Sequence, residues 1–573
     1  MAPSSRGGAA GLLRRPLAWE PSTGALASEP CRRSPAAKGV FADGSRSAAG
    51  PPCSAVASVP SIARHASSAA AAGSQRVRED EVETNDVIVV GAGNAALCAA
   101  LSAQEAGARV LVLERAPESD RGGNSAHSGG AFRTVYDGLE DLRRIVPDLT
   151  EAEIAMSDFG SYTRETYFDD CMRLSDYRAN ADLIQILVDR SLPTMIWMRE
   201  KGVRFVPIWG RQAFKVDGKF KFWGGLTVEA VGGGRGLMDM LFSAAEKRGI
   251  QVMYGARAVR LLLGDDGVEG VEIVQGGRRR ALRARAVVLG SGGFHANAEW
   301  RARYLGPDWD LAKPRGTRFN TGDGIRMARE AGAMAYGHWS GCHSVAYDRC
   351  APEFGELGLV GQQKNGFPMG IIVNLRGERF FDEGADFRNY IYATLGKAIL
   401  QQPKGLAWQI FDQHVAHLLS EEYRIRQITK VEANTLEELA DKMGDVDREG
   451  FLRTMREFNA AVMQEVPFNP NIKDGRGTRG LKVPKSNWAN PYIKPPFIAI
   501  GVTCGVTCTY GGIRINEAAE VVSEDGPTIP GLFATGELVG GLYYTGYPGG
   551  AGLMSGSVFG RLAGAGAAAW AKR

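Results

Sequence analysis

Residues 86–114 read DVIVVGAGNAALCAALSAQEAGARVLVLE. A short β-branched run, DVIVV (86–90), meets a glycine turn, GAGNAA (91–96). LCAALSAQEAG (97–107) follows with helical periodicity, and ARVLVLE (108–114) is a second apolar strand. This is one βαβ unit of about 30 residues, the size expected of a dinucleotide-binding fold. The turn chemistry fits. Gly91 permits the tight bend, Gly93 lets the backbone approach a pyrophosphate, and Ala96 lets helix and strand pack closely. Asn94 and Ala95 open the helix, whose N-terminus offers amide N–H groups and a positive dipole. Glu114 ends the second strand about 20 residues on, where a carboxylate can accept from ribose hydroxyls.

Upstream of this unit the text changes. Residues 1–83 are rich in Ala, Ser, Gly and Arg, and residues 1–78 carry ten basic and three acidic side chains. Such a stretch is expected to be a disordered leader. Its composition is that of an organelle transit peptide, mitochondrial in first place. The alternatives are another organelle, or a plain tail on a cytoplasmic protein. Arg14 and Arg15 interrupt the only early apolar run, which argues against a secretory signal. No run approaches the ~20 apolar residues of a transmembrane helix. The net charge of +4 belongs to the leader, because the rest of the chain holds 58 basic and 61 acidic residues. That balance gives no electrostatic reason to expect nucleic acid.

Downstream, GGGRGLMDMLFSAAEKRG (232–249) runs from a glycine loop into an amphipathic helix, and strands are expected at 250–263, 267–275 and within 284–294. From about 338 to 505 aromatics and charges rise and βα alternation is lost, as in an inserted domain. Within it Thr435 and Glu438 predict a capping box. The expected organisation is therefore 84–337 and 506–573 as two parts of one domain, with 338–505 inserted. IPGLFATGE (529–537) and GGAGLMSGSVFGRLAG (549–564) return to the glycine-rich α/β style. A nicotinamide domain has no need of this second, remote motif. A flavin cofactor is long and must be held at both ends. Gly552, Leu553 and Met554 would then place backbone amides at a helix start against its ring. The cysteines show no paired metal spacing, so free thiols are expected and no metal.

These motifs, together with RGGNSAHSGG (121–130), GSGGF (290–294), NTGDGIRMA (320–328) and IIVNLRGERFFDE (371–383), resemble one flavoprotein family. It includes fumarate reductases, the succinate dehydrogenase flavoprotein, urocanate reductase and 3-ketosteroid Δ1-dehydrogenase. The resemblance implies an α/β fold, a Rossmann-like FAD-binding domain with an inserted α+β capping domain, and non-covalent FAD. It places Arg115, Gly122, Gly123, Asn124, Ser125, His127, Gly129, Gly130, Ala258, Gly292, Gly322, Asp323 and Glu537 around the cofactor. The substrate would lie between cap and flavin. His343 stands where fumarate reductases have a carboxylate-binding histidine, and Arg388 near their catalytic arginine, one residue offset. Their second substrate-binding arginine is replaced here by Tyr547, and another histidine by the Cys508-Thr509 region. GGNSAHS, DEGADFRNY (382–390) and GYPGGAG (546–552) are most similar to FAD-dependent tricarballylate dehydrogenase.

Each catalytic candidate has a plainer reading. Arg388 can bind a carboxylate or pass a proton, or only pair with Asp386 or Glu383. His343 can hydrogen-bond substrate or be a satisfied core histidine. Tyr547, and Tyr510 less so, can serve a substrate oxygen or simply pack. The expected activity is an FAD-dependent dehydrogenase introducing or reducing a C–C double bond beside a carboxylate or carbonyl, with a tricarballylate-like polycarboxylate first. A base would take the activated proton while the β-hydrogen leaves as hydride. The rivals are a fumarate-type reductase, a ketosteroid-like desaturase, and a flavin-binding redox-sensing protein without turnover. No CxxCH or iron–sulfur cysteine cluster is present, so a separate electron acceptor is expected.

Overall fold

Asn85–Val90 forms the first strand, and Val87 through Val90 are all buried. A run buried on both faces is the signature of a parallel strand covered by helices. It pairs in parallel with Val110–Leu113 on one side and with Arg278–Leu289 on the other. Gln251–Met253 extends the sheet past the second strand. Thr528–Ala534 joins it past Arg278–Leu289, with Leu289 opposite Ala534. The remote C-terminal motif therefore enters the same sheet as the first glycine turn. The computed structural model describes residues 85–222, 225–357 and 361–573, all within the unit Val77–Arg573; the expected leader, and the targeting role expected of it, lie outside the described residues.

The strand expected at 250–263 is broken in two, Gln251–Met253 and Arg257–Gly264. Between them the backbone crosses the end of the second strand, where Ala256 N–H donates to the Glu114 carbonyl at 2.9 Å. Arg257–Gly264 then forms an antiparallel hairpin with Gly267–Gln275, as the Asp265-Asp266-Gly267 turn predicts.

Two helices close one face of the parallel sheet, Asn94–Glu105 and the C-terminal Ala551–Ala571. Their close approach needs small residues. A Cβ at Gly564 would lie 2.1 Å from the Ala99 carbonyl oxygen, and one at Gly560 would lie 2.4 Å from that of Ala95. The glycine excess is here a packing requirement.

The spine of a second sheet is Phe497–Ile513, a 17-residue strand. It pairs antiparallel with Ala335–Asp348, Leu406–Phe411 and Lys430–Ala433, and in parallel with Lys313–Pro314. Both expected domain boundaries, 337/338 and 505/506, fall inside strands of this sheet, so the chain crosses between regions on continuous strands. Thr435 caps the Leu436–Met443 helix, its side chain accepting from Glu438 N–H. The expected box is only half formed, because Glu438 reaches the Asn434 N–H at 3.3 Å instead of that of Thr435. Among the described residues no helix is long and apolar enough to cross a membrane, and no group of three metal-ligating side chains occurs.

Candidate active site

The first glycine turn and the start of the C-terminal helix face a common cleft of about 1550 Å³, the open solvent at its mouth included. Gly91, Gly93, Asn94 and Ala95 form one wall, and Gly552 and Leu553 another. Gly91 has φ +104°, with the Gly290 carbonyl oxygen 2.5 Å from where a Cβ would stand. Gly93 differs, because its Cβ position has no neighbour nearer than 3.5 Å. The protein leaves room there. The Asn94 side-chain amide donates to the Leu553 carbonyl at 2.9 Å and to Ser557 Oγ at 3.0 Å, tying the two ends together. Ser125 Oγ accepts from Asn94 N–H at 3.1 Å, bringing in the Gly123–Ala126 turn.

Glu114 is buried and accepts from two backbone amides, Ala92 N–H at 2.9 Å and Ala116 N–H at 2.7 Å. Burial nevertheless pushes its carboxyl above the usual range. Arg115 donates to Asp323 at 2.9 Å, and Arg257 pairs with the same carboxylate at 2.8 Å. Gly123, Asn124, Ser125, Ala258, Gly292 and Glu537 complete the cleft with these residues. Glu537 accepts from Thr509 N–H at 2.9 Å.

Seven residues expected around the cofactor do not line this wall, Gly129 and Gly130 among them. Ala96 is fully buried under Gly290, where its methyl fills the helix–strand contact. Gly122 (φ +105°) lies against Met238, and Gly322 (φ +86°) against the Trp300 ring. Both shape the chain behind the cleft. The Met554 side chain is in the core, and its N–H is turned toward the Gly550 carbonyl at 3.4 Å. Of the expected helix-start amides, only those of Gly552 and Leu553 remain at the wall. His127 sits behind its loop, with Nδ1 near Gly355; burial, then Arg315, hold its pKa down at about 4.

Next to the cleft lies a second chamber of about 780 Å³, again counting open solvent. Ser128, Thr507, Tyr547, Gly552 and Leu553 line both, so the two spaces share a wall. Gly129 and Gly130 stand on the chamber side, and the three catalytic candidates His343, Arg388 and Tyr547 converge here.

Arg388 begins the Arg388–Leu400 helix. The acids near it in sequence are taken by others: Asp386 by Arg173 (3.2 Å) and Lys473 (3.4 Å), Glu383 by Arg379 (2.5 Å). The charges that act on Arg388 are Glu422 and Tyr423, without a hydrogen bond, and burial lowers its pKa. His343 is 1% exposed, and neither ring nitrogen has a hydrogen-bond partner among the described residues. It is not a satisfied core histidine. Burial holds it neutral, with its pKa lowered to about 3. Its ring lies 4.8 Å from Tyr392 and 5.2 Å from Tyr547, centroid to centroid. Tyr392 and Tyr547 share a phenol–phenol hydrogen bond, and burial pushes both above the ordinary tyrosine value. Tyr510 OH, also buried without a partner, lines the cleft.

Sequence reasoning missed Tyr392, Asn389 and Arg315, which also line the chamber. Tyr392 and Asn389 lie within four residues of Arg388 and were findable as its helical neighbours. Arg315 carried no signal, because it arrives through a strand pairing distant in sequence.

A family model described as an FAD binding domain matches residues 86–553. A probable fumarate reductase of Shewanella frigidimarina is 29% identical over 85% of this chain and 75% of that protein. A 4-oxocyclohexanecarboxylate 2-dehydrogenase of Sinomonas cyclohexanicum is 30% identical over 81% of this chain and 89% of its own. Among solved structures, the 3-ketosteroid-Δ4-(5α)-dehydrogenase of Rhodococcus jostii RHA1 superposes with a TM-score of 0.63. It is 26% identical, covering 86% of this chain and 99% of that one. The cleft fits FAD. It leaves free space before Gly93, it presents the buried, unpartnered Ser291 Oγ, and its two ends come from the two expected motifs.

Proposed function

We propose, from the premise that this chain belongs to the FAD binding domain family and is an FAD-dependent oxidoreductase acting on C–C double bonds, that its substrate carries a carboxylate beside the reacting carbons. A compact polycarboxylate, tricarballylate-like, is the favoured form. One observation carries the reading. Arg388 is free of the acids beside it and faces, with the unpartnered His343, a chamber that shares a wall with the FAD cleft. A half-buried guanidinium without a carboxylate partner is a site for one, and the bidentate fork suits it.

In this reading residues 338–505 form a cap over the flavin. When bound, FAD supplies two-electron chemistry at a carbon–carbon bond. The chain supplies the rest. Arg388 binds the carboxylate and stabilises the enolate-like charge that develops beside it. His343, neutral at ordinary pH, offers one donor and one acceptor nitrogen to orient the substrate. In the reducing direction Tyr547 Oη, which burial keeps protonated, gives its proton to the carbon next to the carboxylate; in the dehydrogenating direction it takes that proton only after its own phenol proton has left to solvent, and Tyr392 gives it a hydrogen-bond partner in both.

A fumarate-type reduction uses the same residues in the opposite direction. A ketosteroid-like desaturase suits the site less well. The chamber wall holds Gln212, Gln363, Asn365 and Asn389 beside its arginines, whereas a steroid needs an apolar surface. Anaerobic titration of the flavoprotein with tricarballylate, succinate and a 3-ketosteroid, followed at the oxidised flavin band, tests the reading. Bleaching or perturbation by the polycarboxylates is expected. A response to the steroid alone overturns it.

A further inference from the structure

We infer that Arg315 is a specificity-determining residue, a second cationic anchor that makes the chamber select substrates bearing a second carboxylate. The inference rests on the carboxylate reading above. Family resemblance led to the expectation that a second substrate arginine had been lost to Tyr547. The fold brings another one to the same chamber from a different element.

Arg315 follows the short strand Lys313–Pro314, which pairs with Gly505–Val506. Its own N–H donates to the Val506 carbonyl at 2.7 Å, so the backbone is pinned to the spine of the second sheet. Among the described residues the guanidinium then reaches two acceptors, Thr507 Oγ1 at 3.4 Å and the His127 carbonyl at 3.5 Å. Both contacts sit at the limit of hydrogen bonding and neither carries a full charge. Among the described residues no carboxylate forms an ion pair with it. Its charge is nevertheless felt by His343, Tyr392 and Cys508, which places it in the space the catalytic candidates share.

Among the described residues the chamber wall contains two arginines, 315 and 388, and no aspartate or glutamate. Partly buried cations are normally compensated, because desolvating a charge without a partner is costly. Here the protein compensates neither within the wall, so the ligand must. A monocarboxylate satisfies one guanidinium. A molecule with two separated carboxylates satisfies both, and the amides of Gln363 and Asn389 can take the remaining oxygens. Selectivity arises because the second cation stays unpaired with any substrate that lacks the second charge.

The test compares the FAD-loaded chain with its Arg315→Gln and Arg315→Lys variants. Binding of succinate, tricarballylate, butyrate and inorganic phosphate is read anaerobically as perturbation of the flavin spectrum. Unchanged FAD affinity and an unchanged resting spectrum show that the cleft is intact. Arg315→Gln is expected to weaken succinate and tricarballylate by about 10- to 100-fold, the value of a charge-assisted hydrogen bond, and to leave butyrate unchanged. Arg315→Lys should recover part of the loss. Equal weakening of butyrate and succinate, or no weakening of either, overturns the inference while leaving the carboxylate reading in place. So does Arg315-dependent binding of phosphate without any Arg315 dependence for succinate. If no carboxylate perturbs the unaltered chain, the carboxylate reading itself has failed.

Discussion

The Asn94 side-chain amide donates to the Leu553 carbonyl at 2.9 Å, across 459 positions of sequence. The same amide reaches Ser557 Oγ at 3.0 Å, and that hydroxyl returns a bond to Asn94 Oδ1 at 3.1 Å. One buried asparagine thus fixes the first glycine turn against the start of the C-terminal helix. The width of the FAD cleft depends on that distance.

Asn94→Ala removes this tie and leaves the Ser557 hydroxyl with one partner fewer in the interior. The loss of a buried hydrogen-bonded amide costs about 1–3 kcal/mol. Lower thermal stability is expected in both the FAD-free and the loaded chain, together with weaker FAD binding. Differential scanning calorimetry with and without FAD separates the two effects.

Gly91 and Gly93 should respond differently to the same added methyl. Gly91→Ala meets a carbonyl oxygen at a positive φ, so the fold itself loses on the order of 2 kcal/mol or more. Gly93→Ala has room, and the FAD-free chain should melt as before. Its cost falls on the cofactor, because the methyl occupies the space the pyrophosphate needs. Equilibrium FAD titration of a normally folded Gly93→Ala chain should show weakened binding.

Arg388→Gln removes the charge and shortens the side chain while keeping a polar, hydrogen-bonding end. FAD binding should survive, since Arg388 lines the chamber and not the cleft. The rate of flavin reduction by a reactive polycarboxylate should fall about 100-fold or more, as when a charge-stabilising donor is lost. Stopped-flow reduction of the bound flavin measures it.

His343 makes acid stability a readout of the chamber. Its folded pKa is held near 3 by burial, below the ordinary 6.5 that an unfolded histidine has. Between those values the unfolded chain binds the extra proton, so stability falls as pH drops and is fully retained above about 6.5. One such group contributes a slope of up to about 1.4 kcal/mol per pH unit. His127, held at about 4, adds to it over a narrower window. Denaturant unfolding at a series of pH values should show a shallower slope for His343→Gln than for the unaltered chain.

The sequence revealed the parallel core and the cofactor cleft because both are written locally. DVIVVGAGNAA states a strand, a turn and a helix in consecutive residues, and Gly91, Gly93, Asn94, Ala95 and Glu114 all reached the cleft. What failed were inferences about direction. Met554 and His127 lie in the right segments, but a helix turn and a loop reversal point them away from the cleft. Arg388 and His343 could be named, yet their lack of partners could not be known until Arg379, Arg173 and Lys473 had claimed the nearby acids. Arg315 was invisible for a stricter reason. Its place in the chamber is set by pairing with Val506, 191 residues away, and no local pattern encodes that register.

The measurement that bears most directly on this account is the FAD content of the purified, folded chain, read from its visible absorbance and from flavin released on denaturation. One FAD per chain, bound without a covalent link and weakened by Asn94→Ala and by Gly93→Ala, is the expected result. A well-folded chain that is colourless and takes up no added FAD would contradict it.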